Sequence, residues 1–122
     1  MKPRKPRAVT KSVLAKLKKV STPTITTQLM SSHGLNNVSP RGVLPIDLRL
    51  SRFAGPAYTL RYVPLREDLH PQQYLDHRLN KMTPIVEEIP AGTVMVLDSN
   101  SRNDVGMLGG ILLMRLKVRG VA

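Results

Sequence analysis

The sequence of 122 residues contains no cysteine and no tryptophan, and its aromatic residues are one phenylalanine and three tyrosines. The absence of cysteine excludes disulfide bonds, thiolate nucleophiles and zinc–thiolate sites. No apolar run approaches the roughly 20 residues that span a bilayer, and no apolar segment of a secretory signal follows the basic start MKPRKPR. We therefore expect a cytoplasmic protein without a membrane partner, whose length suits one domain with a modest core.

Positive charge is in excess, and it is concentrated at the beginning of the chain. The formal net charge is +11; residues 1–19 contain eight Lys or Arg and no acid, whereas residues 20–122 contain eleven Lys or Arg against eight Asp or Glu. We interpret residues 1–9 as a flexible basic arm. Such a block attracts RNA, DNA or acidic proteins through counterion release, or it is only a solvated tail. The scarcity of aromatic side chains argues against a dedicated module for single-stranded nucleic acid, which uses them as stacking platforms.

Capping signals predict two helices in the first third of the chain. Thr10 suits the N-cap of the first helix, because apolar residues follow it at helical spacing. The second helix is expected to start at Thr22, a capping hydroxyl followed by Pro23 at the first helical position. Gly34 is expected to end this helix as a left-handed cap.

The pattern changes to strands between residues 40 and 63. A short strand interrupted by proline is predicted over residues 41–46, and an alternating strand with one covered face over residues 53–63. After a polar loop, an irregular helix is predicted over residues 72–82 and a short helix over residues 83–89.

The most informative stretch begins at residue 93. Residues 93–98 form a continuous apolar run that ends in Asp98, which is the pattern of a parallel strand buried on both faces. A polar connection leads to the glycine-rich start of a helix, and Gly120 ends that helix. This order is three quarters of a βαβ unit whose next strand would begin at Val121. We therefore predict an α/β fold that is incomplete at its C-terminus.

The glycine-rich helix start is the best local candidate for a binding site. Glycines let a ligand approach the unpaired amides of the first turn, where the helix dipole favours an anion. We therefore expect the segment from Leu108 to Leu112 to be able to hold a carboxylate or phosphate. The pattern lacks the GK[ST] of a phosphate loop and the spacing of a dinucleotide fingerprint. The same glycines are also compatible with close packing of the helix on a strand, so two interpretations stay open.

The ionisable residues form no metal-binding or catalytic motif. Asp98 either serves a site at the end of its strand or only caps the following turn. Asp104 is expected to cap the glycine-rich helix or to compensate its dipole. His33, His70 and His77 match no pattern of metal ligands. We assign no metal ligand, and the catalytic residues stay unknown.

Five segments, in consistent order and spacing, resemble the RraA-like family. Its members include the regulator of ribonuclease E activity and the class II 4-hydroxy-4-methyl-2-oxoglutarate aldolases. The segments are STPTI at 21–25, FAGPAYTLR at 53–61, PAGTVMVLD at 90–98, GGIL at 109–112 and RGVA at 119–122. The resemblance makes residues 10–122 the N-terminal portion of a single RraA-like domain. Residues 66–88 resemble the subgroup of ribonuclease activity regulators.

The resemblance implies a swivelling β/β/α domain that assembles as a homotrimer or a dimer of trimers, with sites between subunits. It implies that the backbone amides of Gly109, Gly110, Ile111 and Leu112 bind the carboxylate or carbonyl end of a small 2-oxo acid. It also implies that a divalent metal, usually Mg²⁺, polarises the 2-oxo acid and stabilises the enolate formed on C–C cleavage. The family's Arg-Asp pair, which holds substrate and metal, would lie roughly nine residues beyond Ala122, after the next strand. We therefore expect a C-terminally truncated member that binds no metal by itself. Residues 26–28 read TTQ where many relatives have an acid.

Three functional hypotheses follow. The first is a divalent-metal-dependent lyase, an aldolase or oxaloacetate decarboxylase, of which residues 1–122 alone show little or no turnover. The second is a regulator that binds ribonuclease E or its RNA without catalysis. The third is a truncated product without independent activity. The glycine-rich helix start favours the first hypothesis, and the basic arm favours the second.

Overall fold

The structure is a computed structural model, which describes residues 9–66, 68–69 and 82–122. The chain divides into two compact units, Met1–Ala54 and Gly55–Ala122, called unit 1 and unit 2 below. The single domain predicted over residues 10–122 stays a prediction.

Unit 1 contains two α-helices whose boundaries are set by capping residues. Helix α1 spans Lys11–Leu17, and the Thr10 hydroxyl accepts a hydrogen bond from the Val13 amide at 3.3 Å, as predicted. Helix α2 spans Thr22–His33 and ends at Gly34, whose φ of 64° is the predicted left-handed cap. The predicted N-cap of α2 was wrong by one residue. Ser21 takes that place, because its extended backbone lets its hydroxyl accept from the Thr24 amide at 3.3 Å.

The rest of unit 1 contains only a short 3₁₀ helix, Leu48–Leu50, among its described residues. The strand predicted over residues 41–46 was wrong. Gly42 has a φ of 76°, which a strand does not accommodate, and Pro45 has no amide for a strand ladder.

Unit 2 contains a parallel pair of strands. Strand β1 spans Ala57–Arg61 and β2 spans Val94–Asp98. Their register pairs Ala57 with Val94 at one end and Arg61 with Asp98 at the other. Both strands were predicted, with boundaries a few residues wider. The alternating half-buried pattern of β1 confirms its single covered face.

The prediction that β2 is buried on both faces was wrong. Met95 packs against the helical core of unit 2, whereas Val96, which points to the other face, is 45% exposed. Among the described residues the sheet has two strands and helices pack only on the Met95 side, so the second face of β2 stays open.

Two helices supply the core of unit 2. Helix α3 spans Met82–Glu88, close to the short helix predicted over residues 83–89, and α4 spans Gly110–Val118. The core consists of Val86, Ile89 and Leu116. The irregular helix predicted over residues 72–82 lies almost entirely outside the described residues.

The C-terminal end of α4 returns the chain to β2. Gly120 has a φ of 73°, and its carbonyl accepts a hydrogen bond from the Gly92 amide at 2.8 Å. The Ala122 amide then donates to the Thr93 carbonyl at 2.9 Å, and the Ala122 carbonyl accepts from the Met95 amide at 2.7 Å. This is the bonding of a parallel neighbour on the edge of β2 away from β1, and it fits the strand start predicted at Val121.

Candidate functional site

The start of α4 has backbone amides without partners. Gly109 is the N-cap, with an extended backbone (φ −79°, ψ 159°) and no side chain to cap the helix. The first hydrogen bond of the helix runs from the Leu113 amide to the Gly109 carbonyl at 3.1 Å. In the described part of the chain, no acceptor takes the amides of residues 109–112. Four donors therefore gather at the positive end of the helix dipole.

The two glycines of this turn are not explained by close packing. A Cβ atom built on Gly109 or Gly110 would meet nothing within 4 Å, and neither residue has a positive φ. Of the two interpretations that the sequence leaves open, helix–strand packing is therefore not supported by the described residues. The space around Gly109 and Gly110 leaves the backbone of this turn accessible.

An apolar surface adjoins these amides. Gly110, Ile111, Met114 and Val118 line a shallow depression together with the stem of Arg115. Ile111 is 87% exposed, and Met114 is 64% exposed. A small ligand held by the amides would meet hydrocarbon on this side and solvent on the other.

Tyr62 holds the segment that leads into α4. Its hydroxyl donates to the Met107 carbonyl at 2.8 Å and lies 3.1 Å from the sulfur of Met82. Partial burial raises the pKa of the Tyr62 hydroxyl, so this donor stays protonated at neutral pH. The contact fixes the chain two residues before the N-cap of α4. Sequence reasoning missed this role, because it treated Tyr62 only as part of the alternating strand.

The carboxylate of Asp98, at the end of β2, is bound by two neighbouring groups. One carboxylate oxygen accepts from the Asn100 amide at 2.8 Å, and the other lies 3.2 Å from Nε of Arg61. The turn continues through Asn100 and Ser101, whose φ values of 56° and 63° are left-handed. The contacts of Asp98 therefore agree with the interpretation that it caps the following turn. They also include an ion pair to Arg61, which the sequence did not indicate.

Asp104 does not cap α4, so the capping alternative was wrong. Its carboxylate is bound by Nε and Nη2 of Arg102 at 2.7 and 2.6 Å. Arg102 holds the pKa of Asp104 below its ordinary value. Asp104 lies five positions before the N-cap Gly109, whereas Arg102 is only two positions away, so its guanidinium binds the carboxylate of Asp104 instead.

The opposite end of α4 is held to α3 by an ion-pair network. Glu87 is bound by both Nε and Nη2 of Arg115 at 2.7 and 2.8 Å, and Nη1 of Arg119 lies 3.3 Å away. Arg119 also donates to the Ile89 carbonyl at 3.2 Å. The hydrogen bonds from Arg115, with smaller contributions from the charges of Arg115 and Arg119, lower the pKa of Glu87. These contacts position α4 against the core without occupying its first turn.

The structure brings no metal site together in the part of the chain that it describes. No three His, Cys, Asp or Glu side chains gather there. His33 is the exposed last residue of α2, and the predictions for His70 and His77 lie outside the described residues. Likewise, none of the described helices has the length and apolar character that a bilayer span requires.

Comparison with known proteins gives one match. A family model described as RraA-like, Aldolase/RraA, matches residues 22–122. No curated protein and no solved structure matches the chain. The matched range contains the whole of unit 2 and most of unit 1, including the start of α4.

Proposed function

The chain belongs to the RraA-like family, and from this we propose that the start of α4 is the carboxylate-binding part of a site for small 2-oxo acids. The observation that carries the proposal is the set of four unpartnered amides of residues 109–112. Amide donors at a helix N-terminus complement a carboxylate in both hydrogen bonding and charge. The apolar depression beside them suits the short carbon chain of such an acid.

The activity that we propose for the site is lyase chemistry of the aldolase or oxaloacetate decarboxylase type. In such reactions a divalent metal, Mg²⁺ by preference, polarises the 2-oxo group. The described residues do not fit that metal, since no three potential ligands gather and Asp98 is already bound by Arg61 and the Asn100 amide. We therefore derive no step through a metal, and we propose that residues 1–122 alone bind a 2-oxo acid without cleaving it.

A regulator that binds ribonuclease E or its RNA is the second candidate function. The observation that favours it is the charge of unit 1, which contains eleven Lys or Arg and one acid. Nothing at the start of α4 argues for this alternative, so we rank it second.

The binding proposal is tested by titrating pyruvate into ¹⁵N-labelled protein in metal-free buffer and following the amide signals of residues 109–112. The decisive variant is Gly109→Asp. Its extended N-cap backbone suits an aspartate, whose carboxylate would take the free amides and repel an anion while stabilising the helix. We expect pyruvate affinity to fall at least about tenfold, which corresponds to about 1.4 kcal/mol.

Gly106→Asp is the matched control. It adds the same charge three residues earlier, where a side chain would meet nothing within 4 Å, outside the helix. We expect it to bind pyruvate nearly as well as the unmodified protein. Equal affinity of Gly109→Asp and the unmodified protein, with helix content preserved, would overturn the carboxylate site. Release of pyruvate from oxaloacetate above the free-Mg²⁺ rate would contradict only the absence of turnover.

A further inference from the structure

The ion pairs of the two units differ in a way that the net charge does not reveal. Unit 2 pairs almost every described cation with an acid, and the pairs are Arg61–Asp98, Arg66–Asp68, Arg102–Asp104, Arg115–Glu87 and Arg119–Glu87. In residues 9–54, by contrast, Arg49 alone has an acidic partner, Asp47. Six cations of that segment lie near no acid, and they are Lys11, Lys16, Lys18, Lys19, Arg41 and Arg52.

Five of these unpaired cations are grouped around α1. Lys18 and Lys19 follow Leu17, the last residue of α1. At about 100° per residue, Lys18 lies on nearly the same side of the helical path as Lys11, and Lys16 and Lys19 lie on the adjoining side, so the four lysines span about half of the circumference. Arg52 lies beside these lysines although it is 34 positions beyond Lys18 in the sequence, because its Nη1 donates to the Lys18 carbonyl at 3.4 Å. All four lysines are exposed. We call this set (Lys11, Lys16, Lys18, Lys19 and Arg52) the α1 basic face.

Helix stability does not account for the whole face. Lysines near the C-terminal end of α1 compensate the helix dipole, but Lys11 occupies the first position, where a positive charge opposes it. No acid stands in the first turn to offset Lys11. The arrangement suits a negatively charged partner along the length of the helix.

We propose that the α1 basic face binds the phosphate backbone of double-stranded nucleic acid. From Lys11 to Lys18 the helix rises about 10 Å, and a duplex presents about six phosphate charges over that distance. The inference is independent of the 2-oxo acid site in unit 2, and neither depends on the other.

The composition of unit 1 favours a duplex over a single strand. Phe53 is the one aromatic residue of unit 1, so the stacking platforms that select single strands are lacking. The apolar residues beside the lysines, Val13, Leu17 and Val20, keep 46%, 38% and 40% of their surface exposed. Vesicles are therefore included in the test below, because exposed hydrocarbon beside lysines also suits a membrane interface.

The test measures binding of the full chain to a fluorescent DNA duplex of about 20 base pairs as NaCl is raised from about 50 to 200 mM. The variant is Lys11→Gln/Lys16→Gln/Lys19→Gln. The matched control is Arg61→Gln/Arg66→Gln/Arg102→Gln, which removes three exposed but paired cations of unit 2. Both variants lower the net charge by the same amount, and circular dichroism verifies that each keeps its helices.

We expect the unmodified chain to bind the duplex with an affinity that falls steeply with salt. The α1 variant should weaken binding at about 50 mM salt by at least about tenfold and lower the salt slope by about 0.9 for each phosphate that is no longer neutralised. The unit 2 control should stay within about threefold of the unmodified chain, because its cations already face acids.

Several outcomes would overturn the proposal. Equal weakening by both variants would show that net charge acts alone. Full binding by the α1 variant, together with loss in Lys2→Gln/Arg4→Gln/Lys5→Gln/Arg7→Gln, would move the interaction to the first residues. Tighter binding to a single strand of the same length, or to vesicles containing phosphatidylserine, would replace the duplex by that partner. No binding at about 50 mM salt would exclude the function altogether.

Discussion

Unit 1 and unit 2 are stabilised by different means. The buried residues of the described chain are Val86, Ile89, Thr93 and Leu116, and all four belong to unit 2. Among residues 9–54 none is buried, and large apolar side chains such as Leu44 and Ile46 are fully or nearly fully exposed. Unit 1 is therefore organised by local capping, whereas unit 2 is organised by contacts between residues distant in sequence.

The charged groups show the difference in part. The Arg–carboxylate pair of unit 1 joins residues two positions apart, Asp47 and Arg49. Unit 2 has two local pairs of this kind as well, but its network between Glu87 and Arg115 joins residues 28 positions apart, on two different helices. The comparison teaches that unit 2 has the long-range contacts from which a cooperative domain is built, while the described residues of unit 1 leave most of their apolar surface and charge exposed to solvent.

The strongest way to sharpen this comparison is to truncate one isoleucine in each unit. Ile89 is 0% exposed and lies in the core, whereas Ile46 is entirely exposed. Ile89→Ala should lower the free energy of unfolding of unit 2 by about 2–5 kcal/mol, because it removes buried hydrocarbon and leaves a cavity. Ile46→Ala should change stability by less than about 0.5 kcal/mol. Urea unfolding followed by circular dichroism measures both, and a similar loss in the two variants would contradict the contrast.

A smaller effect is expected from a methyl group at the entrance to β1. A Cβ on Gly55 would collide with the Gly92 carbonyl and lie 3.2 Å from Cγ2 of Val94. Gly55→Ala should therefore destabilise unit 2 by about 1–3 kcal/mol, as overpacking does. Gly106→Ala is the control, because a Cβ there meets nothing within 4 Å; it should be neutral or slightly stabilising. Thermal unfolding distinguishes them, and an unaffected midpoint in Gly55→Ala would show that the strands can separate without cost.

The smallest effect concerns pH. The pKa of Glu87 is lowered below its ordinary value of 4.5, first by hydrogen bonds from Arg115. A lowered pKa in the folded state means that the contribution of Glu87 to stability is present above its ordinary pKa and is lost as pH falls through the folded value. The melting temperature of Glu87→Gln should therefore lie slightly below that of the unmodified chain at about pH 7, and the difference should disappear as pH falls through the lowered pKa of Glu87.

Asp47→Asn is the comparison variant for that experiment. Arg49 likewise lowers the pKa of Asp47, through hydrogen bonds at 2.8 and 3.0 Å. Because the two residues are neighbours in sequence, their pairing does not require the fold and its loss should shift the melting temperature less. A larger shift in Asp47→Asn than in Glu87→Gln would reverse the contrast between the units.

The features that sequence patterns predicted well are those set by neighbouring residues. The Thr10 cap, the left-handed Gly34, both parallel strands and the glycine-rich start of α4 follow from local chemistry. The strand predicted over residues 41–46 failed because Gly42 adopts a left-handed φ of 76° and Pro45 has no amide for a strand ladder. Asp104 failed as a cap because a nearer guanidinium binds it.

The contacts that position the candidate site could not be predicted from sequence patterns alone. The Tyr62 hydroxyl meets the Met107 carbonyl across 45 positions, and the Arg119 guanidinium meets the Ile89 carbonyl across 30. When the hydrogen-bond partner is a backbone carbonyl, no particular residue type is required at that position, since every residue has a carbonyl. The sequence therefore gives no signal for such a contact. The four free amides were predictable, whereas the contact that holds them in place was not.

The attachment of α4 at both ends has a consequence for how this scaffold can change. One end is held through Gly120, Arg115 and Arg119, and the segment before the other end is held by Tyr62. Between β2 and that segment, residues 100–106 are exposed. Insertions or deletions there can change the length of the connection while the helix and the core keep their places. In an engineered or diverging lineage, residues 100–106 are thus where the chain can vary in length at the least cost in stability.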